Sequence, residues 1–264
     1  MDYQYILVDV KDRIATVTIN RPEYSNAFAR ESYFEIADAM NTLGAREDVG
    51  AIVITGAGKH FSAGGDIKRF KMLVDTGAYL KAEDIEAVSA MPMSIRNCPK
   101  PVIAMINGVA TGAGLSCALA CDFRIVEPSS KMIMAFVNMG LCGDNESIYT
   151  LMRLVGPDKA ELMMMTGDAY KGEQCVKTGL ATVLAENGKL AETTYALAAK
   201  LASKSSTAHA GQKRLIRKYF YGGMENFAKD EGIEMAAASR QPDFTEAVNA
   251  FIEKRIPAYN LPHK

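Results

Sequence analysis

The chain has 264 residues, with 30 Lys and Arg against 31 Asp and Glu and a formal net charge of −1. A balance this close supplies no basic field for nucleic acid or an anionic membrane, and no uncharged apolar run approaches the roughly eighteen residues of a membrane span. The length suits one α/β core plus an appendage and can bury a sizeable hydrophobic interior.

The N-terminal MDYQYILVDV begins with an acid and then alternates apolar and polar residues, so no signal peptide is expected and a cytoplasmic location is. YILVDVKD and RIATVTINRP alternate at period two and read as strands, and ARESYFEIADAMNTL carries an apolar stripe at helical spacing. Three short runs follow, GAIVITGAG, PVIAMING and FRIVEP. They are apolar and rich in β-branched residues, as strands covered on both faces should be. Helices are expected near 79–97, 112–121, 146–155, 159–166 and 171–178. Strands alternating with helices argue for a layered α/β fold with parallel crossovers. From about residue 189 onward four amphipathic helical patterns, through STAHAGQKRLIRKYF to PDFTEAVNAFIEKR, need a surface to cover, either the core or a neighbouring subunit.

Five cysteines, Cys98, Cys117, Cys121, Cys142 and Cys175, form no CxxC pair and are expected to be free thiols. Cys117 and Cys121 share a helix face, but none of the scattered histidines, His60, His209 and His263, lies close in sequence to complete a metal site; packing is the better reading. GVATGAG is a poor dinucleotide fingerprint, because Cys117 stands at the third glycine position. GAGKH fails as a phosphate loop, because His60 stands where a Ser or Thr should hold magnesium.

Two glycine-bearing turns after apolar strands, HFSAGGDIK (60–68) and NGVATGAGLS (107–116), offer backbone N–H groups unobstructed by side chains. Two such groups converging on one oxygen would make an oxyanion hole, the second helped by the partial positive charge of a helix N-terminus. Ordinary strand-to-helix turns have the same spacing.

NRPE, HFSAGGDIK, KPVIAMINGVATGAGLSCALACDFRIV, MGLCGDNESIYTLMRLVG, TGDAYKGEQCVKTGLATVL and AFIEKR occur in the order and at about the spacing of the crotonase (enoyl-CoA hydratase/isomerase) superfamily, and the chain resembles that superfamily over nearly its whole length. The resemblance implies a spiral of ββα units over residues 1–195 and a C-terminal helical region over 196–264 that builds homotrimers or hexamers. It implies an acyl-CoA substrate and no separate cofactor, coenzyme A being part of the substrate. The thioester oxygen would sit between the N–H groups of Gly65 and Ala113, with Gly112 in the same turn. Ala63 and Asp66 would border the adenine, and Lys68 and a neighbouring subunit's Lys254 would lie near the phosphates.

The departures set the subtype. Hydratases of the superfamily use two glutamates, and those positions fall at Ser116 and Val137, neither of which does acid–base work near neutral pH. Asp144 falls where aspartate-bearing enoyl-CoA isomerases and 4-chlorobenzoyl-CoA dehalogenases carry their working carboxylate. Phe136 takes the place of the dehalogenase tryptophan, and Ser89 stands at about the place of its histidine. Apolar neighbours such as Met132, Met134, Met139 and Leu141 would bury Asp144 and raise its pKa.

The expected activity is double-bond migration in an enoyl-CoA, with Asp144 moving the proton. Hydrolysis, dehalogenation or hydration of an alicyclic or aromatic acyl-CoA is the alternative within the enzyme class, and a non-catalytic acyl-CoA-binding subunit the alternative outside it. Asp144 or Asn145 would also serve as the N-cap of the following helix, with Glu146 on its first turn as a reserve carboxylate. Cys142 has no histidine placed to activate it.

Overall fold

The computed structural model describes residues 2–259, so His263 and the last residues of the 196–264 region lie outside it. Strands β1 (Ile6–Lys11) and β2 (Ile14–Ile19) form a hairpin, and α1 (Arg30–Ala45) leads to β3 (Ala51–Gly56). Helices α2 (Ile67–Thr76), α3 (Ala82–Val88) and α4 (Ala90–Asn97) precede β4 (Val102–Met105), β5 (Val109–Thr111), α5 (Ala113–Ala120), β6 (Phe123–Val126) and β7 (Lys131–Ile133). Then come α6 (Ser147–Val155), α7 (Pro157–Thr166), β8 (Ala169–Lys171), α8 (Gly172–Thr178) and β9 (Val183–Leu184). The chain closes with α9 (Leu190–Ala202), α10 (Ser206–Phe220), α11 (Met224–Ala238) and α12 (Pro242–Glu253).

The main sheet has six strands in the order β1-β2-β3-β4-β6-β9, parallel except for the β1/β2 hairpin. A smaller sheet of β5, β7 and β8 stands beside it. The central strands are covered on both faces, which is why they read as unbroken apolar runs. On one side Ile52, Ile54, Val102 and Ala104 join the principal core with Ile36, Met40 and Leu43 of α1 and Leu115 and Leu119 of α5. On the other, Ala51, Val53, Ile103 and Ile125 pack against Leu190, Ala198 and Ala202 of α9. Gly50 permits that approach, since a Cβ there would lie 2.8 Å from Ala202 Cα. Helix α9 thus covers the sheet, while α10, α11 and α12 extend beyond it.

Two helical expectations change in detail. The helix expected near 79–97 is two helices sharing Ser89, because Pro92 has no N–H to donate and its ring would crowd the carbonyl of Val88. Helix α2, absent from the expected elements, begins where Asp66 caps it by accepting the Lys68 N–H at 2.9 Å. No helix of the described residues is long and apolar enough to cross a membrane.

Candidate active site

The two glycine turns meet. Ser62 N–H donates to Val109 O and Thr111 N–H to Ser62 O, both at 3.1 Å, so the segment after β3 runs beside β5. Gly64 has a left-handed φ of +87°, and a Cβ there would come within 2.7 Å of Thr111 O and 3.3 Å of Ala113 N. Only glycine lets these backbones approach so closely. Ala113 is the first residue of α5, where the helix leaves N–H groups without intrahelical partners. All eight α5 residues are buried, which the small side chains of AGLSCALA allow.

Gly65, Gly112 and Ala113 line one cavity of about 390 Å³, and Ala63, Asp66, Phe136 and Asp144 line it too. The rest of the wall is largely apolar and includes Phe28, Phe70, Leu80, Ile85, Val88 and Met235. Ala247 and Phe251 of α12 and Arg255 and Pro257 just after it line it as well, so this chain's own C-terminal helix and the segment that follows close over its own cavity. Lys254, in a left-handed conformation at the end of α12, is exposed and is not part of the lining. Lys68 lies over the Tyr24 ring, 4.3 Å from its centroid, outside the lining. Val137 is 36% exposed and also outside it. Ser116 is buried behind the wall, and its hydroxyl reaches Gly112 O at 3.2 Å and Asp144 O at 3.3 Å, tying α5 to the loop that carries Asp144.

Of the two carboxylates lining the cavity, Asp66 is engaged, ion-paired with Arg21 at 3.0 Å and capping α2. Asp144 is buried, and its Oδ1 has no hydrogen-bond partner. Burial pushes its carboxyl up to about 6, with the Asn145 side chain and the Arg69 charge acting in the opposite direction. The Tyr33 phenol, which also lines the cavity, is held well above its ordinary range by burial and by the Asp144 charge.

Behind Asp144 stand two more buried acids. Glu146 is fully buried without a well-formed hydrogen bond to its carboxyl oxygens, and burial pushes it up to about 8, the Ser89 hydroxyl partly offsetting this. Glu231 of α11 accepts the Glu146 N–H at 2.7 Å, and burial together with the Asp144 charge pushes it up to about 9. These three acids make no metal site: among the described residues no group of three or more His, Cys, Asp or Glu side chains could hold a metal ion.

The capping expectation is corrected. The N-cap of α6 is Glu146 in a left-handed conformation with no side-chain cap of its own, and Glu146 precedes the first turn instead of lying on it. Glu231 supplies the acceptor from another helix, which removes the need for a local one. Cys142 is half-buried, and burial pushes its thiol up to about 11, unfavourable for a nucleophile. Tyr33, Arg69 and Glu231 are not distinguished in the sequence, because each is one of several polar residues in its helix and no local pattern marks it.

An α/β scaffold that brings two glycine turns and a buried carboxylate to one largely apolar cavity has the form of an enzyme active site. The enoyl-CoA hydratase/isomerase family model matches residues 9–261, and the chain belongs to that family, as an acyl-CoA enzyme of the crotonase superfamily. It is 31% identical to the trans-2-decenoyl-[acyl-carrier-protein] isomerase of Streptococcus mutans, covering 98% of this chain and 99% of that one. It is 29% identical to the 1,2-epoxyphenylacetyl-CoA isomerase of Escherichia coli, over 97% of this chain and 98% of the relative. The crystal structure of an enoyl-CoA hydratase from Mycobacterium avium subsp. paratuberculosis superposes with a TM-score of 0.89 at 26% identity, covering 98% of this chain and 100% of the other.

Proposed function

We propose that this chain is an enoyl-thioester isomerase. The N–H groups of Gly65 and Ala113 hold the thioester oxygen, and Asp144 takes a proton from one carbon of the acyl chain and returns it to another. As the C–H bond breaks, its electron pair moves through the conjugated system onto the oxygen. As the enolate collapses, the new C–H bond forms two carbons away and the carboxylate is regenerated. One observation carries this reading: Asp144 lines the cavity with its Oδ1 left without a partner, and a pKa near 6 lets it both accept and release a proton near neutrality. The two relatives named as isomerases support it.

The acyl group would occupy the apolar end between Phe28, Leu80, Ile85 and Met235. Coenzyme A would leave past Ala63 and Asp66, with Lys68 and a neighbouring subunit's Lys254 near its phosphates. The chain would work in the cytoplasm as a homotrimer or hexamer, covering apolar residues such as Leu215, Ile216 and Tyr219 that α10 leaves exposed.

The test is incubation with 2-enoyl-, 3-enoyl- and cyclic dienoyl-CoA esters, and with one enoyl ester on an acyl carrier protein, followed by product analysis. An isomeric thioester supports the proposal. A hydroxyacyl thioester or free acid means that Asp144 activates water or attacks directly, and tight binding without turnover across the panel means a binding subunit.

A further inference from the structure

The backbone that aims Asp144 is one the chain does not adopt unaided. Gly143 has a φ of +153°, and Asn145 and Glu146 follow with left-handed φ values of +56° and +53°. Left-handed φ values are unfavourable for non-glycine residues, and here, as in the tight turns at Asp12–Arg13 and Ser25–Asn26, other contacts must offset that cost. Ser116 holds one side of the loop through the Asp144 carbonyl. Locally the turn has one backbone bond of its own, from the Ser147 N–H to the Asp144 carbonyl at 3.2 Å, and α6 starts without a side-chain cap.

The other side is held by Glu231, 85 positions away on α11, whose Oε2 accepts the Glu146 N–H at 2.7 Å. The Ile148 N–H in the first turn of α6 bears on the same carboxyl. Glu231 is 4% exposed and does not line the cavity, so it has no contact with substrate to account for it. A buried carboxyl without a cation is costly, and its partners here are the amides at the end of the strained turn.

We infer that Glu231 is a positioning residue for the reaction: by accepting the Glu146 amide it fixes the left-handed turn that presents Asp144 to the cavity. The inference rests on Asp144 being the group that moves the proton. The titratable groups that act on Glu231 are Asp144 and Glu146, and Cys142 feels it in turn; Glu225 of α11 acts on Glu146. α3 packs on the same helix, bringing the Ala82 carbonyl and the Glu86 amide to Gly232. Burial and the neighbouring acids push Glu231 toward its neutral form, and a glutamine, which keeps a carbonyl oxygen for the Glu146 amide, is its close substitute.

The test compares turnover of an enoyl-CoA ester by wild type, Glu231→Gln, Glu231→Ala and Glu231→Asp, alone and with Asp144→Asn, with circular dichroism and gel filtration on each. Glu231→Ala should lower kcat on the order of tenfold to a hundredfold, as displacement of a reacting group by about 1 Å does, and leave KM within about threefold. Glu231→Gln should restore kcat to within about threefold of wild type, and Glu231→Asp, with its acceptor drawn back, should fall between. If the alanine variant does not fold, the ordering wild type, glutamine, aspartate carries the result. In the Asp144→Asn background none of the substitutions should lower the residual rate further, since each acts through Asp144. Wild-type kcat in Glu231→Ala, a glutamine variant as slow as the alanine one, or a loss confined to KM overturns the positioning role. Full activity of Asp144→Asn alone overturns the proposed function instead.

Discussion

Glu146 should make the fold weaken as pH rises. Its carboxyl is fully buried without a well-formed hydrogen bond, and it moves from 4.5 to about 8 on folding, chiefly by desolvation. A carboxyl that holds its proton more tightly when folded contributes stability that is complete below its unfolded pKa, about 4.5, and is lost as pH climbs toward 8. At about 1.4 kcal/mol for each unit between the two values, the full loss is on the order of 4–5 kcal/mol. Glu146→Gln removes the titration and keeps the shape. Urea unfolding of both proteins at pH 5, 7 and 9, at one protein concentration, should give similar midpoints at pH 5. The variant should gain a lead that widens to roughly 4 kcal/mol by pH 9. Parallel pH profiles, or a wild type that gains on the variant as pH rises, would show that Glu146 is ionised and partnered in the fold and refute the reasoning.

Asp144 must be ionised to accept a proton, so kcat/KM should fall about tenfold per pH unit below about 6, the limb being shared with the acids behind it. A limb near pH 4 would show an ordinary exposed carboxylate at work. Ala113→Pro deletes the amide proposed to hold the thioester oxygen, at the first helical position, where proline is tolerated, and should cost about a hundredfold or more in kcat with the circular dichroism spectrum retained. An active Ala113→Pro enzyme would exclude that amide from the reaction. Gly64→Ala forces a methyl to within 2.7 Å of Thr111 O at a left-handed φ, and should destabilise the fold by about 1–3 kcal/mol in a thermal melt while lowering activity. An unchanged midpoint would contradict the tight apposition of the two turns.

What could be read from the sequence follows from how local each signal is. The central strands, α1, α5 and the helices after residue 189 announce themselves through periodicity over short windows. The two glycine turns could be placed because glycine at a strand end has few uses, and the cavity they share follows from their meeting beside Phe28 and Ala110. Strands β5, β7, β8 and β9 are two or three residues long and leave no periodic trace. The cap of α6 differs from the expected one because GDNES carries every local sign of a side-chain cap, whereas the acceptor that serves the turn arrives from Glu231 in α11. Tyr33 and Arg69 reach Asp144 only through tertiary packing, and no spacing along the chain encodes that.

Incubating the enzyme with a 3-enoyl-CoA ester in deuterated water, and reading deuterium at the acyl carbons by NMR in wild type and Asp144→Asn, tests the Asp144 assignment most directly. Wild type should give the 2-enoyl product, with deuterium at the carbon that receives the proton and at the exchangeable carbon of recovered substrate in proportion to how often the Asp144 proton exchanges with solvent before its return. Incorporation should be lost with turnover in the variant while binding of the ester persists. Equal turnover and incorporation by both proteins would show that another group moves the proton.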